Sequence, residues 1–117
     1  GDGQQTRSLC YCADLVEGVY QLMMKGDHRP VNLGNPFEMT VLEIAQAVIA
    51  AARSKSRIVF RPLPKDDPRR RRPDIRRARK LLNWEPKVDL ASGLRDTIES
   101  FRARLGCGKT ERARSQK

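Results

Sequence analysis

At 117 residues the chain fits one domain, and 38% apolar content with a mean hydropathy of −0.65 suits a soluble protein. No run approaches the roughly 20 apolar residues that span a bilayer, and Gly1–Gln5 has neither the basic start nor the apolar stretch of a signal peptide. The net charge of +10 is concentrated: residues 69–80 hold eight basic residues against one acid, residues 102–117 six against one, and the remainder is slightly acidic. Such placement points to an anionic partner, or to a solvated helix face plus a disordered end. The first residue is not Met, and the expectation is a chain that begins inside a longer one.

Ser8–Cys12 reads as a short extended stretch. Asp14, with Glu17 three residues on, then predicts a helix start of the capping-box kind. Leu15, Val16, Val19, Leu22 and Met23 come next at helical spacing, and Gly26 ends the helix. Pro30–Gly34 is predicted as a short strand and Asn35-Pro36 as a turn. Thr40 with Glu43 forms a second capping box before a helix over 41–53, whose Val41, Leu42, Ile44, Ala45, Val48 and Ile49 share a face. Arg57–Phe60 is the next predicted strand, and Pro62, Pro64 and Pro68 hold the chain beyond it extended.

Asp74 can cap a short helix whose Ile75, Ala78, Leu81 and Leu82 face inward and whose Arg76, Arg77, Arg79 and Lys80 face water. Asp89 can start a last helix over 90–105, which Gly106-Cys107-Gly108 ends, and 106–117 reads as a basic disordered tail. The helices over 14–25, 41–53 and 90–104 each carry an apolar face, yet the strands are too few to cover them. Exposed patches, and a marginal or self-associating chain, are therefore expected.

The order of elements is α/β with an incomplete sheet. No Gly-rich loop succeeds a strand, so a dinucleotide has no ordinary seat. No Ser-His-Asp set, zinc-binding helix or helically spaced Tyr-Lys pair is present, and the chain by itself is not a complete enzyme. Cys10, Cys12 and Cys107 have no metal-ligand spacing, and His28 is the single histidine; free thiols in a reducing compartment are expected. Met23, Met24 and Trp84 are expected in the core.

Arg69–Arg72 lie on an extended stretch between prolines, where alternate side chains point to opposite sides. Arg69 and Arg71 can then face one cleft while Arg70 and Arg72 face away. Arginine suits bidentate recognition of carboxylate or phosphate. Arg7, beside Gln5 and Thr6 ahead of a strand-to-helix junction, is a second candidate. A nucleic-acid surface is a competing reading of the basic segment, but no aromatic residue interleaves with the arginines as a stacking platform.

Gly1–Ser8, Tyr11 and Asp14–Gly18 resemble a segment of the extended short-chain dehydrogenase/reductases. Val31–Pro36, Thr40–Ala45 and the stretch from Asp66-Asp67-Pro68 through Arg71, Pro73-Asp74-Ile75 and Ala78 to Trp84-Glu85-Pro86 narrow the resemblance. Together they are similar to the C-terminal part of the UDP-glucuronate decarboxylases (UDP-xylose synthases). Related sugar-nucleotide dehydratases and epimerases share some of these elements.

The resemblance implies that residues 1–105 are the sugar-nucleotide-binding part of a Rossmann-type enzyme, while NAD and a catalytic Tyr-Lys pair belong to an N-terminal domain absent from this chain. In that family NAD oxidises the sugar C4, the β-keto acid loses carbon dioxide, and NADH returns the hydride. It implies that Arg71 is an active-site arginine near the sugar carboxylate, and that Arg7 lies along the diphosphate side of the cleft. It further implies UDP-glucuronate or a related nucleotide sugar as partner, a homodimeric parent, and a location in the cytoplasm for a bacterial-type parent or the Golgi lumen for an animal one. The isolated chain is expected to be inactive, with no specific nucleic-acid partner.

Overall fold

The computed structural model describes residues 1–112, and the side chains of residues 1–106. Among the described residues the order is β1 (Thr6–Arg7), α1 (Cys12–Lys25), β2 (Met39–Thr40), α2 (Val41–Ala52), α3 (Arg76–Leu82) and α4 (Leu90–Arg112). The strands pair antiparallel, with Thr6 opposite Thr40 and Arg7 opposite Met39. Helix α1 packs on α3, and α2 on α4. Four helices with short strands match the α/β reading, but the strands lie elsewhere than predicted. Ser8–Cys12, Pro30–Gly34 and Arg57–Phe60 form no ladder; apolar alternation makes a strand only where a neighbouring edge satisfies its backbone.

The start of α1 also differs. The residue that caps it is Tyr11, in extended conformation, with no side-chain bond to the helix. Asp14 sits inside the helix, 8% exposed, and its carboxylate accepts from the backbone N–H groups of Lys87 (3.1 Å) and Val88 (2.9 Å). A carboxylate that satisfies two distant amides is unavailable as a cap. Trp84 closes the same knot by donating from its indole Nε1 to the Asp14 carbonyl at 3.0 Å. Gly18 lets this happen, because a Cβ there would stand 2.9 Å from the Trp84 ring. The core comprises Ile75, Ala78, Leu82 and Trp84, with Leu22, Val31, Leu33 and Leu81 packed against it. At the end of α3, Asn83 takes the left-handed conformation with φ 51°, which turns Trp84 back into that core.

The capping box at α2 forms as expected: Glu43 N–H donates to Thr40 Oγ1 at 3.1 Å and Thr40 N–H to Glu43 Oε2 at 2.7 Å. Asp74 accepts from Arg76 N–H, and Asp89 from Ser92 N–H. The expectation that Met23 and Met24 are core residues fails, for both are exposed, at 78% and 65%. Helical spacing gave them an apolar stripe, but the side of α1 that meets the core is the one carrying Asp14 and Gly18. The apolar patches predicted on the three helices are present: Val16, Val19, Tyr20, Val48 and Phe101 are all exposed. Helix α4 continues through Gly106-Cys107-Gly108 to Arg112. Glycine weakens a helix interior by about 1 kcal/mol but stops it only where the chain turns left-handed, and no proline comes after it. The final five residues of the expected tail, 113–117, lie outside the described residues.

Candidate functional site

Arg7 and the 67–72 stretch meet at β1. One edge of β1 pairs with β2. From the other, Thr6 N–H donates to the Arg69 carbonyl at 2.8 Å, and the next polar side chain, Ser8 Oγ, donates to the Arg71 carbonyl at 3.1 Å. Residues 67–71 therefore form a strap laid along the strand. Prolines at 62, 64, 68 and 73 keep this stretch out of helix and remove donors that a sheet would need, and the strap bends at Arg69. Gly3, at φ +80°, brings the chain ahead of β1 within 3.0 Å of Leu42 for a would-be Cβ, and thus seats the strand against α2.

Two acids sort the arginines. Arg7 donates to the carbonyls of Thr6 (2.7 Å) and Pro68 (2.9 Å) and forms an ion pair with Asp67. Arg70 grips Glu38 with two bonds, Nε at 3.3 Å and Nη2 at 3.0 Å. Glu38 also accepts from the Thr6 hydroxyl at 2.7 Å. The Arg70 guanidinium first, then the Thr6 hydroxyl, holds the Glu38 carboxyl below its ordinary range. Arg71 is exposed, and its guanidinium has neither an ion pair nor a hydrogen bond among the described residues; only its backbone is tied, to Ser8.

The structure thus brings Arg7 and the Arg71 backbone to the same strand, but it spends much of the Arg7 donor set on the strap itself. Elsewhere in the basic segment, Arg76 pairs with Asp74 and Arg79 with Glu85, and Arg77 donates to the Pro30 carbonyl at 2.6 Å. This is the solvated face expected of α3. A hollow of about 700 Å³ beside Pro30, Asn32, Arg77 and Leu81 contains neither Arg7 nor Arg71. Arg72 borders another, of about 340 Å³, with Pro36 and Pro73.

The roles of Glu38, Asp67 and Ser8 are not evident from sequence alone. Asp67 stands 60 residues from its partner Arg7, and the arginine run that follows it in sequence is not what it pairs with. Glu38 stands 32 residues from Arg70, and nothing local announces the pairing. Cys10 and Cys12 are free thiols, and burial pushes the Cys10 thiol up from its ordinary value.

No family model matches the sequence. Over 105 residues, 90% of this chain, it is 51% identical to UDP-glucuronic acid decarboxylase 1 of Danio rerio. The match takes in 25% of that protein, so the chain spans about a quarter of the length of the curated relatives it matches. Among solved structures, UDP-glucose 4-epimerase of Thermotoga maritima with UDP-glucose superimposes on 90% of this chain and 34% of its own, with TM-score 0.85 and 34% identity. A mutant UDP-glucuronic acid 4-epimerase from Bacillus cereus, in complex with UDP-4-deoxy-4-fluoro-glucuronic acid and NAD, covers 86% of this chain and 34% of its own at TM-score 0.73 and 26% identity. The strap and strand pair accordingly lie in a segment similar to a quarter of the UDP-glucuronic acid decarboxylases, and the chain shares the fold of part of the UDP-glucose 4-epimerase.

Proposed function

We propose that this chain is the nucleotide-sugar-facing part of an NAD-dependent UDP-glucuronate decarboxylase that yields UDP-xylose. Arg71 faces the sugar carboxylate in this reading, and Arg7 braces the strap while its remaining N–H groups meet the diphosphate. The observation that supports it is the sorting of the arginines. Asp67 and Glu38 engage Arg7 and Arg70, whereas Arg71, on a backbone tied to Ser8, has no acid partner among the described residues, and neither have the exposed Arg69 and Arg72. A planar, permanently charged fork is the complement of a carboxylate. An acid paired with Arg71 would cancel that complement.

The described residues do not fit NAD. The junction from β2 into α2 is closed: the Glu43 carboxylate accepts from Thr40 N–H, the Thr40 hydroxyl from Glu43 N–H, and the carbonyls of Gln5 and Gly3 from the N–H groups of Val41 and Leu42, the amides that a pyrophosphate would need. No reaction step is assigned to the cofactor by this chain. Its place in the proposal is a separate domain, and the isolated chain is inactive in the same reading. A homodimer of the complete protein belongs to this proposal as well, and light scattering on that protein tests it.

Incubating the complete protein that carries this sequence with UDP-glucuronate and NAD should release carbon dioxide and UDP-xylose, with no net NADH. A 4-keto or epimerised product with the carboxylate retained would redirect the assignment to a dehydratase or an epimerase.

A further inference from the structure

We propose that Glu38 is a positioning residue that aims Arg71, acting through Arg70. The inference rests on the carboxylate role given to Arg71 above. Arg70 belongs to the strap at one edge of β1, and Glu38 adjoins β2 at the other, so their two-bond pair spans one face of β1. Glu38 is the fixed end: its side chain is 13% exposed against 77% for Arg70, and the Thr6 hydroxyl holds it from the same face.

Along an extended backbone, consecutive side chains leave on opposite sides. Committing Arg70 to the Thr6 face sends Arg71 to the other one. Arg7 comes after Thr6 on β1 and also leaves on that other side. The carboxylate of Glu38 therefore does two things at once. It ties up Arg70, one of the guanidiniums that could compete, and it adds to the backbone bonds a restraint that keeps Arg71 on the face of Arg7. The bonds from Thr6 N–H to the Arg69 carbonyl and from Ser8 to the Arg71 carbonyl hold the backbone along the edge of β1, and the Arg70–Glu38 fork adds a side-chain restraint from the Thr6 face.

The test is the preference of the complete protein for UDP-glucuronate over UDP-glucose, read by calorimetric titration with UDP as the reference ligand. Arg71→Ala should lower that preference roughly 10–100-fold, the scale of a charge-assisted bond. Glu38→Gln should lower it roughly 2–5-fold, the scale of a partly exposed ion pair, with UDP affinity unchanged. Arg70→Ala, at an exposed position that should not disturb folding, should do the same, and the double variant should fall no further. An unchanged preference in Glu38→Gln, while Arg71→Ala loses it, overturns the positioning role alone. An unchanged preference in Arg71→Ala overturns the carboxylate reading and this inference with it. Equal weakening of all three ligands by Glu38→Gln marks a general structural role and also overturns the proposal.

Discussion

The α1–α3 knot and the arginine strap are both held by contacts between residues far apart in the chain, but by different physics. In the knot, Asp14 and Trp84 are nearly buried and every bond runs between a side chain and the backbone. Buried bonds of that kind are costly to leave unmade, so the knot fixes one arrangement. In the strap, the contacts are ion pairs and single carbonyl bonds at the surface, where each contributes little. The knot carries stability, and the strap carries a charge pattern.

Trp84→Ala should break this contrast from the stable side with the largest effect. Removing a buried indole costs about 3–5 kcal/mol and here also removes its bond to the Asp14 carbonyl. Urea unfolding tracked by circular dichroism should show a chain unfolded without denaturant or close to it; a midpoint near that of the parent sequence would deny the knot its role. Gly18→Ala sharpens the same point. Its methyl would press on the Trp84 ring at 2.9 Å and on Leu33 at 3.1 Å. Overpacking of about 1–3 kcal/mol outweighs a helix-propensity gain of about 1 kcal/mol. A stabilised Gly18→Ala protein would show that the ring has room to move.

Thr40→Ala removes the hydroxyl of the capping box and should cost about 1 kcal/mol, visible as a lower melting temperature; Thr40→Ser should retain most of it. The smallest effect is expected at the junction of strap and α3. The Arg76 side chain, then its backbone N–H, holds the Asp74 carboxyl down to about 2 from an ordinary 3.8. Because the folded value is the lower one, this contribution is complete above the ordinary value and is lost as pH falls through about 2. Hydrogen exchange at the Arg76 amide should stay slow at about pH 4 and speed up near the folded value. Exchange indifferent to pH across that window, once corrected for intrinsic rates, would show that the bond does not form.

Much of the helical fold is legible in the sequence because its signals are local. Thr40-Val41-Leu42-Glu43 states a helix start, and the spacing of Ile75, Ala78 and Leu82 states a buried face that the structure keeps. Asp14 misleads because a helix-start acid and a cross-chain acceptor look alike in sequence; only the amides of Lys87 and Val88 decide between them. Met23 and Met24 mislead because the 3.6-residue period gives an apolar face but not what covers it. The strands are misplaced for the same reason, since a ladder of two residues depends on its partner edge rather than on its own composition. At the site, the importance of Arg71 comes from a resemblance, whereas Glu38 and Asp67, the acids that engage Arg70 and Arg7, become visible only when the strap is seen against β1.

The central claim is that Arg71 is a placed ligand rather than one charge in a diffuse field. Turnover of UDP-glucuronate by Arg71→Ala and by Arg76→Ala in the complete protein compares them directly, since each removes one positive charge from the same segment and Arg76 has an 87% exposed side chain. Arg71→Ala should lose roughly 10–100-fold in turnover, Arg71→Lys should recover little of it because an ammonium lacks the planar fork, and Arg76→Ala should be nearly silent. Equal losses in the two alanine variants would contradict the claim.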